Sequence, residues 1–391
     1  MKTPWELLKE SKTKIKTTWR IAFVSALVLG LLIHLPVMLS DIPNHDGLSS
    51  MYFDQNMITS GRWFLTVACG FSSYFTIPWV IGLIGLIWLA LTAAVLTEVL
   101  ELTDPVTITV VSGLLVSFPA LASTFAYVFT MDGYMLALFL AVLAVLFTAK
   151  YPRGYLAGAV CLAFSMGIYQ AYLPFTILLC VYKILLYFME EKGWKEKAKY
   201  VCHYLGMGIA GGVLYYVILQ ILLKLQGRVL DTYQGINSME QMGSGMGILA
   251  TIKEMYVDFL AFTVHGNVLV NNIFSLAACI ILVATVVFLV IRSMIWRKWW
   301  KNPAFFVIMI LLGISMPLLT NVILLISPNL TYHLLMRYQW VLYLILMTAF
   351  ADRYTAEESR TDVVLQWAAL CAAVVLVFDY GTVSYTHLRA H

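Results

Sequence analysis

The sequence predicts an all-α fold: a polytopic transmembrane helical bundle of about eleven spans with its N-terminus in the cytoplasm. Three observations predict it. Hydrophobic residues make up 61% of the chain and charged residues only 12%, with a mean hydropathy of +0.84. A soluble domain is roughly 45–50% apolar and about 25% charged. The apolar residues also fall in runs of about 17–25, the length that crosses a bilayer core. Finally, Lys and Arg crowd into alternate connections between those runs, as the positive-inside rule requires. The formal net charge of +4 adds little, because placement matters more than the sum in a membrane protein.

Residues 1–20 read as a basic cytoplasmic N-terminus. The first apolar run, 21–40, follows without a small-residue cleavage site, so it reads as a retained signal anchor. Further spans fall near 78–100, 106–127, 133–149, 155–171, 174–190, 201–223, 270–291, 303–327, 336–350 and 363–380. The fifth and sixth are divided only by Tyr169-Gln-Ala-Tyr-Leu-Pro174 and could be one long broken helix, because Pro174 removes a backbone donor. Residues 21–380 thus form one membrane domain with long outer loops at 41–77 and 224–269. The end of the chain, Ser384-Tyr-Thr-His-Leu-Arg-Ala-His391, breaks from the apolar pattern and resembles a translated sequencing-adaptor fragment, so 381–391 reads as a non-native or truncated tail.

With the N-terminus inside, the inner segments carry eighteen of the 25 Lys and Arg residues and the outer segments five: Arg62, Lys224, Arg228, Lys253 and Arg337. A miscounted span in the middle of the chain would destroy that bias, so it also supports the count. Trp79, Trp194, Trp296, Trp299 and Trp300 fall at or near span ends, where amphipathic rings belong. The polar loop Asp41-Ile-Pro-Asn-His-Asp46, the Thr130-Met-Asp132 corner, the Tyr169-Gln170 corner and the segment around Arg337 all face outward. Chemistry is therefore expected on the extracytoplasmic side.

Acids and arginines this close to hydrocarbon are costly and call for a function. Asp46 could take a proton from a hydroxyl within about 3 Å. It also precedes Leu48, Met51, Tyr52, Gln55 and Ile58 at helical spacing and could cap that helix; the two roles are compatible. Asp41 reads as an interfacial anion and Asp54 as a solvated one. Residues 48–65 suggest an amphipathic helix on the outer surface, broken near Gly61, with Trp63 and Phe64 anchoring Arg62. The planar fork of Arg62 suits phosphate oxygens, though lipid headgroups would also hold it. Asp132 sits in a very short turn, as a second functional acid or as a cap for the next helix. Tyr169 and Gln170 hydrogen-bond sugar hydroxyls well, although an aromatic belt also explains the tyrosine. Arg337 opposes the positive-inside trend and should pair with an acid or a phosphate; His333 beside it is a weaker candidate.

The loop 224–269 is too long for a connector and is expected to fold over the site, with acceptor recognition among Asp231, Tyr233, Gln234, Glu254, Asp258 and His265. Its Gly243-Ser-Gly-Met-Gly247 run lacks the strand and lysine of a phosphate-cradling loop. No Walker, HExxH, GxSxG or dinucleotide motif occurs. The six cysteines show no metal-ligand spacing and read as small buried hydrophobes.

The acidic first outer loop, Gly61-Arg62-Trp63, the Tyr-x-Phe-x-x-Asp corner from Tyr127 to Asp132 and the later Tyr169-Gln170 corner together resemble the GtrII-type membrane glucosyltransferases, over roughly residues 20–380. That resemblance implies a GT-C-like transferase that moves a hexose, most simply glucose, from a polyprenyl-phosphate donor to a cell-surface glycan on the extracytoplasmic face of a bacterial inner membrane. By the same resemblance Asp46 is the functional acid of the first outer loop and Asp132 the second. The resemblance further implies that Arg62 and Arg337 would neutralise the phosphate leaving group. Where relatives often carry two adjacent acids, this chain has His45-Asp46, a thinner metal site, which leaves a divalent cation open. The expected partners are the polyprenyl-phosphate sugar, a glycan acceptor and membrane lipid, not nucleic acid.

Two other readings stay open. A transporter or flippase for a lipid-linked glycan would share the arginines but needs a polar path or two related halves. A polymerase or ligase would differ mainly in taking a lipid-linked oligosaccharide as donor.

Overall fold

The computed structural model describes residues 2–40, 56–70, 72, 77–231, 248–299, 303–327, 330–355 and 359–387. It is 84% helical, and no strand occurs among the described residues. Among the described residues eight helices are long and apolar enough to cross a membrane, or nine if one bent pair is a single span. They include α1 (Thr17–Leu39), α2 (Pro78–Leu100), α4 (Met131–Lys150) and α7 (Trp194–Gln226). The bent pair is α3, Pro105–Ser117 with Pro119–Phe125, turned by 49°. Two shorter helices, α5 (Gly154–Ile168) and Pro303–Thr320, account for the remaining predicted apolar runs.

Continuous apolar runs make these helices, and local signals end them. Asp104 caps α3 by accepting from the Thr107 amide at 2.7 Å, and Pro105 supplies the fixed first turn. Pro174 acts the same way: it lies at the start of α6 (Leu173–Met189) instead of kinking one long helix, so the fifth and sixth predicted spans are separate helices. The helices pack as a series, α7 on α5, α5 on α4, α4 on α2 and α2 on α1. Both α2 and α4 bury small residues, Ala90, Ala93 and Ala94 on one and Ala137, Ala141 and Ala144 on the other. Small side chains suit a bilayer, where close backbone approach replaces the hydrophobic drive between helices. Large apolar side chains such as Leu32, Ile209 and Phe378 point outward, a surface fit for lipid. Cys202 and Cys371 lie on that exposed surface too, contrary to the expectation that every cysteine is buried.

The bend in α3 costs three carbonyl partners, and three other helices supply them. Pro119 has no amide to offer Leu115 O, and the turn removes the donors for the next two carbonyls. Tyr338 Oη donates to Leu115 O, His34 Nε2 to Val116 O at 2.9 Å, and Ser384 Oγ to Ser117 O at 3.0 Å. The bend is thereby fixed to α1, to the segment Leu334–Trp340 and to the last helix, Arg360–His387.

One end of the bundle gathers paired charges. Glu98 accepts from Lys16 and Lys150, each at 2.7 Å, and Glu101 from Lys183 at 2.6 Å and Arg353 at 2.8 Å. Lys183, placed mid-span by the sequence, thus reaches its acid at this end of α2. Burial pulls the Glu101 carboxyl upward, but the hydrogen bonds and charges of Lys183 and Arg353 overcome this and hold it below the ordinary carboxylate value.

Candidate active site

At the opposite end, the segment after the first span folds into the bundle. The predicted surface helix 48–65 differs here: within the described part, Ile58–Ser60 is a short 3-10 turn, and Trp63 and Leu65 are buried. Gly61, at φ +78°, makes the break, a backbone shape open to glycine and strained for other residues. Trp63 therefore anchors against protein and not membrane. Its ring lies on Gly167, where any Cβ would collide, and the Phe64 amide donates to Gly167 O at 2.7 Å.

This fold brings Arg62 to α4. Its Nη1 donates to Tyr134 Oη at 3.3 Å, and the guanidinium lies 5.1 Å from the centre of the Tyr169 ring. Tyr134 and Tyr169 stack on each other at 4.2 Å, so one aromatic pair supports the cation. Two residues before Tyr134, Asp132 is buried at 3% exposure. Its Oδ1 accepts from Ser72 Oγ at 3.0 Å and from the Gly133 amide at 2.9 Å. Residues 62–70 and Ser72 thus bind both Tyr134 and Asp132 and cover the N-terminus of α4, whose dipole favours negative charge.

Gln170 lies at the same corner with its amide turned toward Arg62's own turn. Gln170 Nε2 donates to Ser60 O at 3.1 Å and to Tyr215 Oη at 3.0 Å. Arg337 stands further along the same end. Its fork holds Asp258 through two bonds of 2.7 Å, its Nε donates to Tyr332 O, and the Tyr332 ring lies 3.9 Å below it. Of the two partners expected for Arg337, an acid or a phosphate, this arrangement provides the acid. Asp258 comes from Ile248–His265, an 18-residue helix inside what reads as a loop. The two groups join through Tyr172 and Tyr338, whose rings lie 6.3 Å apart. His333 is exposed at the edge.

His45, Asp46, Asp41, Asp54, Tyr233 and Gln234 lie outside the described residues. Among the described residues no group of three or more His, Cys, Asp or Glu could hold a metal ion. Sequence reasoning missed Ser72, Tyr134 and Tyr215. Tyr134 carried a usable signal, being two residues from Asp132 at the start of a helix. Tyr215 carried none, because a tyrosine within an apolar run looks like any other.

The family model for glucosyl transferase GtrII matches residues 35–351, well over half of the sequence and all of the site just described. The chain belongs to the GtrII glucosyl transferase family. As a GtrII protein it is a glycosyltransferase, with a sugar donor and a glycan acceptor. No curated protein and no solved structure gives a significant match.

Proposed function

We propose that this GtrII protein transfers a hexose, most simply glucose, from a polyprenyl phosphate to a surface glycan or lipid-linked acceptor on the extracytoplasmic face of the membrane. The observation that carries the reading is the shared cover of α4. One segment presents Arg62 on an aromatic support and hydrogen-bonds Asp132, so a phosphate-binding cation and a buried acid belong to one unit. The excess of Lys and Arg at the other end supports an outward-facing site.

In the proposed step Asp46 takes the proton from the acceptor hydroxyl. The acceptor oxygen bonds to the anomeric carbon as the bond from that carbon to the phosphate oxygen breaks. Polyprenyl phosphate leaves with the electron pair, and Arg62 neutralises it. Asp132 is the second acid, and Tyr169 lines the donor side. Arg337, with its fork on Asp258, orients the helix Ile248–His265 beside the site. The chemistry of the donor set leaves a divalent cation at His45 and Asp46 open.

The test is transfer of radiolabelled glucose from polyprenyl-phosphate-glucose to membrane glycan by wild type and Asp46→Asn. Label moved by wild type alone supports the donor and the acid together; transfer by both removes Asp46 from its role. Accumulation of lipid-linked oligosaccharide would instead favour the polymerase or ligase reading. The flippase reading predicts movement of intact donor across the bilayer without transfer. The gathering of paired charges at one end, instead of along a path, speaks against it.

A further inference from the structure

The turn that carries Arg62 has every carbonyl from Met57 to Arg62 engaged. Met57 O accepts from the Ser60 and Arg62 amides, Ile58 O from the Gly61 amide and Arg62 O from the Leu65 amide, so the turn closes on itself. The three carbonyls between are each taken by a different part of the chain. Thr59 O accepts from the Asp231 amide at 2.9 Å, Ser60 O from Gln170 Nε2 at 3.1 Å, and Gly61 O from Tyr215 Oη at 3.1 Å. Gln170 also donates to Tyr215 Oη, so the two side chains form one clamp. A Cβ on Gly61 would stand 2.5 Å from both Gln170 Nε2 and Tyr215 Oη, which shows how closely the clamp closes. A turn at positive φ persists where its surroundings over-determine it, and here they do.

We infer that Tyr215 and Gln170 are positioning residues. They fix the Gly61–Arg62 turn and so aim the guanidinium of Arg62 at the phosphate of the lipid-linked donor. The inference rests on the proposal that Arg62 meets that phosphate. Tyr215 lies within the apolar stretch of a 33-residue helix and is buried, so its hydroxyl has no membrane-surface role to explain it. Its ring can be kept and its donor removed by a single substitution, Tyr215→Phe.

The experiment measures donor KM, acceptor KM and kcat with polyprenyl-phosphate-glucose for Tyr215→Phe, alone and in an Arg62→Ala background. Gln170→Glu, of equal size but without the amide donor, serves as the second variant. Loss of one buried hydrogen bond predicts a fall in kcat/KM for the donor of about five- to tenfold, part of it in kcat because Arg62 meets the charge that grows on the leaving phosphate, with acceptor KM nearly unchanged. In the Arg62→Ala background the same substitution should leave kcat/KM for the donor unmoved, because it acts only through the arginine. An equal fall in both backgrounds, or no fall in either, overturns the inference. Arg62→Ala leaving kcat/KM for the donor unchanged would instead remove the phosphate role of Arg62. Amide hydrogen exchange of residues 58–64 then judges the clamp alone: faster exchange in Tyr215→Phe keeps it, and unchanged exchange rejects it.

Discussion

At the lysine-rich end of the bundle, acids meet bases: Glu98 takes Lys16 and Lys150, Glu101 takes Lys183 and Arg353, and Asp362 takes Arg292. At the other end, the buried Asp132 accepts from a serine hydroxyl and a backbone amide, close to Arg62 on its tyrosine pair. A charge answered by an opposite charge holds helices together and has little field left for a ligand. An acid held by neutral dipoles, as Asp132 is, keeps its field, and that suits a site where charge develops during reaction. Arg337 shows that the division follows partners and not position alone. It lies at the site end, yet Asp258 takes its fork as a structural pair would.

That contrast can be broken most severely at Gly61. Gly61→Ala must adopt a strained φ and displace two hydrogen bonds, for a stability loss of about 3 kcal/mol. Donor affinity should fall with it, and a thermal melt in detergent beside a donor titration measures both. A melt equal to wild type would mean that the clamp is loose. Next in size is Arg337→Ala, which leaves the partly buried Asp258 with Asn321 as its one side-chain donor among the described residues. The expected loss is about 2 kcal/mol, below the full cost of a deeply buried orphan. Asp258→Asn in the same background should restore part of it; no restoration would show that the two do not act as a pair.

The smallest effect belongs to the opposite end. Glu101→Gln should lower stability by about 1 kcal/mol, because Glu101 is half exposed and solvent screens its pairs. The folded Glu101 carboxyl lies below its ordinary value, so its stabilisation is complete above about pH 4.3, the unfolded value. It is then lost as pH falls through the folded value. Melting temperature followed from pH 6 down to pH 3 should drop more steeply for wild type than for Glu101→Gln. Parallel curves would remove Glu101 as the titrating group.

The bundle was legible because hydrophobic runs and basic connections are local signals, and each predicted apolar run is helical. The corner residues Asp132, Tyr169, Gln170 and Arg62 were legible as polar groups out of place beside hydrocarbon. Their partners were not. Which side chain Gln170 would reach depends on Tyr215, forty-five positions away, and on how the turn at Gly61 folds inward. The same holds for Arg337 and Asp258, joined only when a helix forms within an apparent loop. Over its described part, 56–65, the surface-helix expectation missed because spacing reports an apolar face without saying whether membrane or protein covers it. Here protein does, through Gly167 and the neighbouring aromatic rings.

The most direct test compares the two ends in one assay. Labelled glucose transfer from polyprenyl-phosphate-glucose is measured for wild type, Asp132→Asn and Glu101→Gln, each first shown to insert and fold. Asp132→Asn should lose about 10²- to 10⁴-fold in rate, the range of a functional acid, while Glu101→Gln keeps wild-type transfer. Transfer retained by Asp132→Asn, or lost by a folded Glu101→Gln, would contradict the assignment of the chemistry to the Arg62 end.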